Sequence, residues 1–365
     1  MNESIREIHK LSGLLLGLIL TVVGLSGSGL VFRADIERLL TRDWLQASKV
    51  GEILPLDVVV AAGAAAIPEK EVVRVVLPRH AGETVEVLLQ KRRPLNLADA
   101  ELVSVFVDPY RGTVVGQRPR SEGWLWLVQD FHYALFSGEP GLKANGISAV
   151  FLLILAVSGP FLWWPGWSRR SSAFRIRRGP APARWRDIHA VIGVGFCLIL
   201  AVISLTGMYY AYRSTTTAVI TLATGGGGMR PPTATSNSSL APATLESLMT
   251  SARSAQPSAK FDEVRPARSV SAPVIISFTL PNDQVPGRNR IYLDPRDSTL
   301  LRTDIHENLP LGARVLANMA PWHFGTWGGR TTQWIWFVAG LIPAFLFASG
   351  LWIWLQRRRH ASRRD

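Results

Sequence analysis

Four blocks of just over twenty nearly uncharged residues, 11–32, 147–167, 190–212 and 334–355, constrain this chain more than any other feature. At 1.5 Å per residue each block is long enough to cross a hydrocarbon core of about 30 Å. Inside such a core no water satisfies a backbone N–H or C=O, so a single apolar block must close its hydrogen bonds within itself, as a helix. Four transmembrane helices follow. The first block imitates a secretory signal, with a basic start and the small residues of 26–29 behind it. It is too long for such a segment, and a near copy recurs at 190–212, so it reads as a retained span.

The copy is extensive. Adding 180 to the first block reaches the third without a gap: Arg6/Arg186, Ile8/Ile188, His9/His189, Gly13/Gly193, Leu25/Leu205, Gly27/Gly207 and Arg33/Arg213. Adding 191 to the second reaches the fourth: His132/His323, Gly138/Gly329, Leu155/Leu346, Ser158/Ser349, Gly159/Gly350 and Trp163/Trp354. The chain is one unit written twice. Since both halves start and end on the same side, the repeats are parallel about a pseudo-twofold axis along the membrane normal.

Charge gives the orientation. The net charge is +13, and segments 1–10, 168–187 and 356–365 together hold fourteen Lys and Arg against four acids. Basic residues collect in short cytoplasmic segments. Both termini, the loop 169–187 and the tail 357–365 are therefore expected inside, and a nucleic-acid partner is not needed to explain the basicity. Cys197 is the only cysteine, which excludes disulfides, thiolate zinc sites, Cys-ligated iron–sulfur clusters and covalent c-type haem.

Between the spans lie two inserts, 34–121 and 245–315, the second reached through a Gly/Thr/Pro/Ser-rich linker assigned to 214–244. Residues 105–115 and 291–301 both read as a strand, an Asp-Pro turn and a second strand, and helical spacing recurs at 56–66 and 245–255. Each insert is expected to be a small α+β domain outside the membrane, followed by a histidine segment and a span at 122–168 and 316–356.

Four of the seven histidines obey the repeat: His9 with His189 at one end of the spans, His132 with His323 at the other. Two imidazoles at equal depth across a twofold axis suit a noncovalently held b-type haem. Gly13 and Gly193, four residues after His9 and His189, leave room for a flat macrocycle on that face, or equally for close helix packing. No carboxylate or third histidine sits at ligand spacing for zinc or non-haem iron. His80, His306 and His360 have no repeat partner and read as solvated, with His306 held in reserve for a substrate site. Arg33 and Arg213 read as snorkelling anchors, with haem propionates or an anionic substrate as the functional alternative.

Several motifs resemble those of the PepSY-associated transmembrane proteins: the R-[ED]-I-H openings, the L-[ST]-G at 25–27 and 205–207, FHYALF at 131–136, the S-G pairs late in spans two and four with Trp163, Trp352 and Trp354, and the paired DP hairpins. The resemblance implies a multi-pass protein of the bacterial inner membrane with two PepSY-like periplasmic domains. It implies one or two haems b on His9, His189, His132 and His323, and outward electron transfer that reduces a ferric siderophore and releases Fe(II). An oxidoreductase, a ferric-siderophore reductase, is thus implied, with no catalytic acid, base or nucleophile of its own. No Gly-rich dinucleotide motif follows a strand, so the electron donor, a flavoprotein reductase or a quinol, is expected to be external. Two other readings remain open: a membrane-anchored module whose PepSY-like domains bind peptides or regulate proteases without redox activity, and a transporter, which the absence of charge within the spans disfavours.

Overall fold

The computed structural model describes residues 2–49, 51–92, 101–164, 174–177, 180–234 and 241–361. Arg169, Arg170, Arg178, Arg363, Arg364 and Asp365 of the basic segments, and 235–240 of the linker, lie outside the described residues, as does the side chain of His360. The chain divides into two compact units, one of residues 1–33, 127–223 and 318–365, the other of 34–126 and 224–317.

The first unit contains four long apolar helices: α1 (Asn2–Leu30), then α5 (Gly138–Trp163), α6 (Ala181–Ala211) and α10 (Gly329–Ala361). All four are long and apolar enough to cross a membrane. Each of α1 and α6 packs against both α5 and α10, so α1 and α6 face each other diagonally. The radial distribution of side chains is the reverse of a soluble bundle. Large apolar residues such as Leu15, Leu18, Phe161 and Leu198 point outward, the last 78% exposed, while Ser12, Ser28, Ser158, Ser204, Thr206 and Ser349 are buried between helices. Lipid gives no hydrophobic drive for helix association, so small polar residues that permit close approach hold the interior. Gly24 and Gly340 show that requirement, since a Cβ on Gly24 would lie 2.5 Å from the Gly340 carbonyl oxygen. Two shorter helices, α4 (Trp124–Ala134) and α9 (Leu311–Phe324), precede α5 and α10. The repeat-related Gly138 and Gly329, which start those spans, both adopt positive φ, +58° and +68°, a conformation glycine takes without strain.

Two further helices follow the first and third spans, α2 (Arg33–Leu40) and α7 (Arg213–Thr224). The second differs from the linker assigned to 214–244: 214–224 is helical, although Val219 and Leu222 stay exposed on it and it buries no residue.

The second unit is built on one antiparallel sheet. Strands β1 (Lys70–Val76), β2 (Val85–Lys91), β3 (Val103–Val107) and β4 (Val114–Pro119) come from the first insert. Strands β5 (Lys260–Arg265), β6 (Val274–Thr279), β7 (Asn289–Leu293) and β8 (Leu300–Asp304) come from the second. The order is β4-β3-β2-β1-β5-β6-β7-β8, so the inserts join edge to edge through β1 and β5 in a single eight-stranded sheet. Val75 opposite Val264 marks the local twofold. One register row crosses every strand: Gly116, Phe106, Glu86, Val76, Glu263, Ser277, Arg290 and Asp304.

Helices α3 (Leu56–Ala65) and α8 (Leu245–Ala255) contribute Val59, Val60, Leu248, Met249 and Ala252 to a core with Val75, Val87, Val105, Val264, Ile276 and Ile291. Alternation along the strands sends this set to one face; the other carries most of the strands' charged residues, with Leu88, Phe106 and Tyr292 buried among them. The two Asp-Pro turns form alike: Asp108 N–H donates to Thr113 O, Asp294 N–H to Thr299 O, and each carboxylate accepts the N–H two residues on, from Tyr110 or Arg296. The carbonyls of Pro109 and Pro295 then accept Leu54 N–H and Ala243 N–H, fixing the entries to α3 and α8. His306, read from sequence as solvated, is buried: Asn289 and Arg288 on β7 and just before it draw it in, its N–H donating to Asn289 Oδ1 and its ring lying against Arg288. His80 is exposed.

Candidate functional site

The repeat-related histidines come together in two facing pairs. His9 on α1 and His189 on α6 have ring centres 6.5 Å apart with planes at 79°. His132 on α4 and His323 on α9 have ring centres 6.3 Å apart at 48°. A metal–imidazole bond of about 2 Å on each side, with roughly 1 Å more from nitrogen to ring centre, puts two rings that share one metal about 6 Å apart. Both pairs match that span.

Hydrogen bonds set the tautomer of each ring. Ser158 Oγ donates to Ile154 O at 2.6 Å, which uses its only proton, and His9 Nδ1 lies 2.8 Å from the same oxygen. Nδ1 is therefore the donor. On α10, Ser349 Oγ donates to Phe345 O and faces His189 Nδ1 at 2.8 Å. At the other end Thr206 Oγ1 donates to Val202 O and faces His323 Nδ1 at 2.9 Å. His132 Nδ1 lies 3.0 Å from the carbonyl of Val23, which can only accept, and 3.2 Å from Ser26 Oγ. All four rings thus carry the proton on Nδ1, and no Nε2 has a hydrogen-bond partner among the described residues. A bare Nε2 backed by an engaged Nδ1–H is the form that ligates a metal.

A glycine backs each ring. An added Cβ would meet the Cε1 atom of His9 at 3.6 Å from Gly159, of His189 at 3.4 Å from Gly350, of His132 at 2.7 Å from Gly27 and of His323 at 3.7 Å from Gly207. Gly13 and Gly193 lie elsewhere, against Leu155 and Leu346 at the α1–α5 and α6–α10 contacts. Asn145 Nδ2 donates to His132 O at 2.6 Å and anchors the end of α4. Tyr210 lies 5.2 Å from the His323 ring and stacks on Phe324. Arg213 sits over Tyr209, 5.6 Å from its centre. The indole N–H of Trp336, which packs on Gly325 two residues after His323, is buried with no acceptor among the described residues. No group of three or more His, Cys, Asp or Glu that could hold a metal occurs among the described residues, so the site chemistry rests on the imidazole pairs.

A family model for the PepSY-associated TM region matches residues 6–357, nearly the whole chain. The chain belongs to the PepSY-associated TM region family. Among curated proteins none matches it significantly. This PepSY-associated protein is a multi-pass membrane protein whose two inserts share one sheet.

The repeat identities of the sequence contained more of the site than the histidines alone. Ser158/Ser349 and the middle residues of the L-[ST]-G motifs, Ser26 and Thr206, are the partners of Nδ1. The motif glycines, with Gly159 and Gly350, are the ring supports. Sequence position marks them as repeated without telling that they touch histidine, because the contacts run between α1 and α5, α6 and α10, α1 and α4, and α6 and α9.

Proposed function

We propose that this protein holds two b-type haems, one on His9 and His189 and one on His132 and His323, and carries electrons through the membrane to reduce a ferric siderophore. The observation that carries the reading is the pair of imidazole sets, each at metal-sharing distance with Nδ1–H engaged and Nε2 bare. Eighteen residues of α1 separate His9 from Gly27, the support of His132, which is about 27 Å of helix. One pair thus serves each end of the bundle.

A bound haem supplies one-electron chemistry at its iron. The residues around it position and insulate. Ser158, Ser349, Thr206 and the Val23 carbonyl hold the four rings by Nδ1 and raise the basicity of Nε2. Trp336 presents a buried donor that suits a group bringing its own carboxylate oxygens. Small residues at the ring contacts and the apolar bundle keep water away from the path.

The basic segments face the cytoplasm in this reading, and electrons enter from an external flavoprotein or quinol. At the far side each Fe(III) of the siderophore takes one electron and becomes Fe(II), a poorer partner for hard oxygen ligands, so that the metal is released without acid–base help from a side chain.

The test is a reduced-minus-oxidised optical spectrum with haem quantified per chain, on detergent-purified protein from haem-replete cells. Two b-type haems per chain are expected, with His189→Ala and His323→Ala each losing one. Reduced protein is expected to be reoxidised by a ferric siderophore, with Fe(II) trapped by a chelator. A colourless protein ends this reading and leaves the sheet unit as a binding module.

A further inference from the structure

The polar face of the eight-stranded sheet is hollowed into a cleft of about 380 Å³ over the β1–β5 seam, walled on one side by α2. That volume is within the range of small-molecule sites, but the lining differs from the usual apolar one. The floor is neutralised internally: Arg120 pairs with Glu86 at 2.8 Å, Arg38 with Glu83 at 2.7 Å and Arg74 with Glu263 at 3.4 Å. At one end three charged side chains are left over. Arg79 and Lys260 pair with no carboxylate among the described residues. Lys260 Nζ is held in place by Arg79 O at 2.8 Å. Among the described residues Asp262 accepts from neutral partners, the Thr279 hydroxyl at 2.6 Å and the Gly287 backbone.

This end is not an inherited feature of the repeat. The twofold that superposes Val75 on Val264 carries Lys260 onto Glu71 and Asp262 onto Val73. Only the second insert places a cation and a carboxylate there. Asp262 occupies the irregularity of β5 between Phe261 and Glu263, which β1 repeats at Val73; the bulge is common to both inserts, and what the second insert adds at it is the carboxylate.

We propose that the cleft is a binding site for a small hydroxycarboxylate, with Arg79 and Lys260 taking its carboxylates and Asp262 accepting from its hydroxyl. Two cations against the single carboxylate of Asp262 leave this end net positive, which favours an anion, and charge-assisted hydrogen bonds to carboxylate are the strong ones. The carboxylate of Asp262 beside them repels a compact dianion such as phosphate and rewards a ligand that brings a donor. The site belongs wholly to the sheet unit, so it stands or falls independently of haem in the membrane unit.

The experiment is calorimetric titration of the full chain in detergent with three probes: citrate, tricarballylate, which is citrate without its hydroxyl, and inorganic phosphate. Citrate is expected to bind best. Arg79→Gln, at an exposed position, and Lys260→Met, which keeps the aliphatic stem, are each expected to weaken citrate about tenfold or more, as losing one charged hydrogen bond does. Asp262→Asn is expected to narrow the preference for citrate over tricarballylate. Absence of citrate binding at millimolar concentration, phosphate binding as well as citrate, or unchanged citrate binding in both cation variants with wild-type melting would each overturn the site.

Discussion

His132 and His323 occupy equivalent places in the two repeats, yet their supporting glycines are not equally tight. A Cβ on Gly27 would lie 2.7 Å from His132 Cε1, while one on Gly207 would lie 3.7 Å from His323 Cε1, an ordinary contact. Gly27→Ala is therefore expected to displace the His132 ring and to lose the spectrum of that end. Gly207→Ala should retain it. Equal spectra for the two variants would show that the ring positions are softer than this packing implies.

Asp262 gives a test through protons. Burial raises its pKa above the usual carboxylate value, against the opposing pull of the Thr279 hydroxyl and Lys260. The fold thus favours the neutral carboxyl: the stabilisation it confers is complete below the ordinary carboxylate pKa and is lost as pH rises through the raised one. Melting of Asp262→Asn relative to wild type should show an advantage that grows as pH rises above the ordinary carboxylate pKa of about 4. A constant difference would mean that folding does not shift the Asp262 pKa.

Among elements, α8 has an unusual start. Thr244 caps it by accepting Ser247 N–H at 3.1 Å, and Asp57 of α3 accepts Leu245 N–H at 2.7 Å and Glu246 N–H at 3.1 Å from 188 residues away. Three of the four N–H groups that a helix start leaves unpaired are thereby satisfied, two of them by the other insert. Asp57→Ala should cost about 1 kcal/mol in denaturant unfolding of the sheet unit, comparable to removal of an N-cap. A loss near zero would show that water replaces the carboxylate.

The same elements show what the sequence could disclose. Period-2 strands and the Asp-Pro turns were legible because their causes are local, and so were the four spans. The β1–β5 junction was not legible, since each strand alone is an ordinary amphipathic run and nothing local states which edge it meets. The helix α7 was hidden by a run of threonines whose composition suggests a linker. The histidine pairs were legible through the repeat, while their Nδ1 partners and ring supports required the packing of the helices to be known.

For the whole molecule, the repeat is a pairing of halves at every level described. Each imidazole pair takes one ring from each half, and the sheet is continuous only through β1 and β5. A half on its own would expose a central strand edge, which promotes pairing with another chain. Two polypeptides divided in the basic segment between α5 and α6 should therefore reassemble when co-expressed, and copurification through a tag on one piece measures it. Recovery of the tagged piece without its partner would count against the seam as the joint.

That seam also says something about descent. A sheet that pairs β1 with β5 about a local twofold is what two identical chains would have made by placing β1 against β1, so the precursor of this gene would have worked as a homodimer with a symmetric cleft. Fusion freed the two copies to differ, and Arg74 facing Glu263 across the former symmetry axis is a pair that no homodimer could encode.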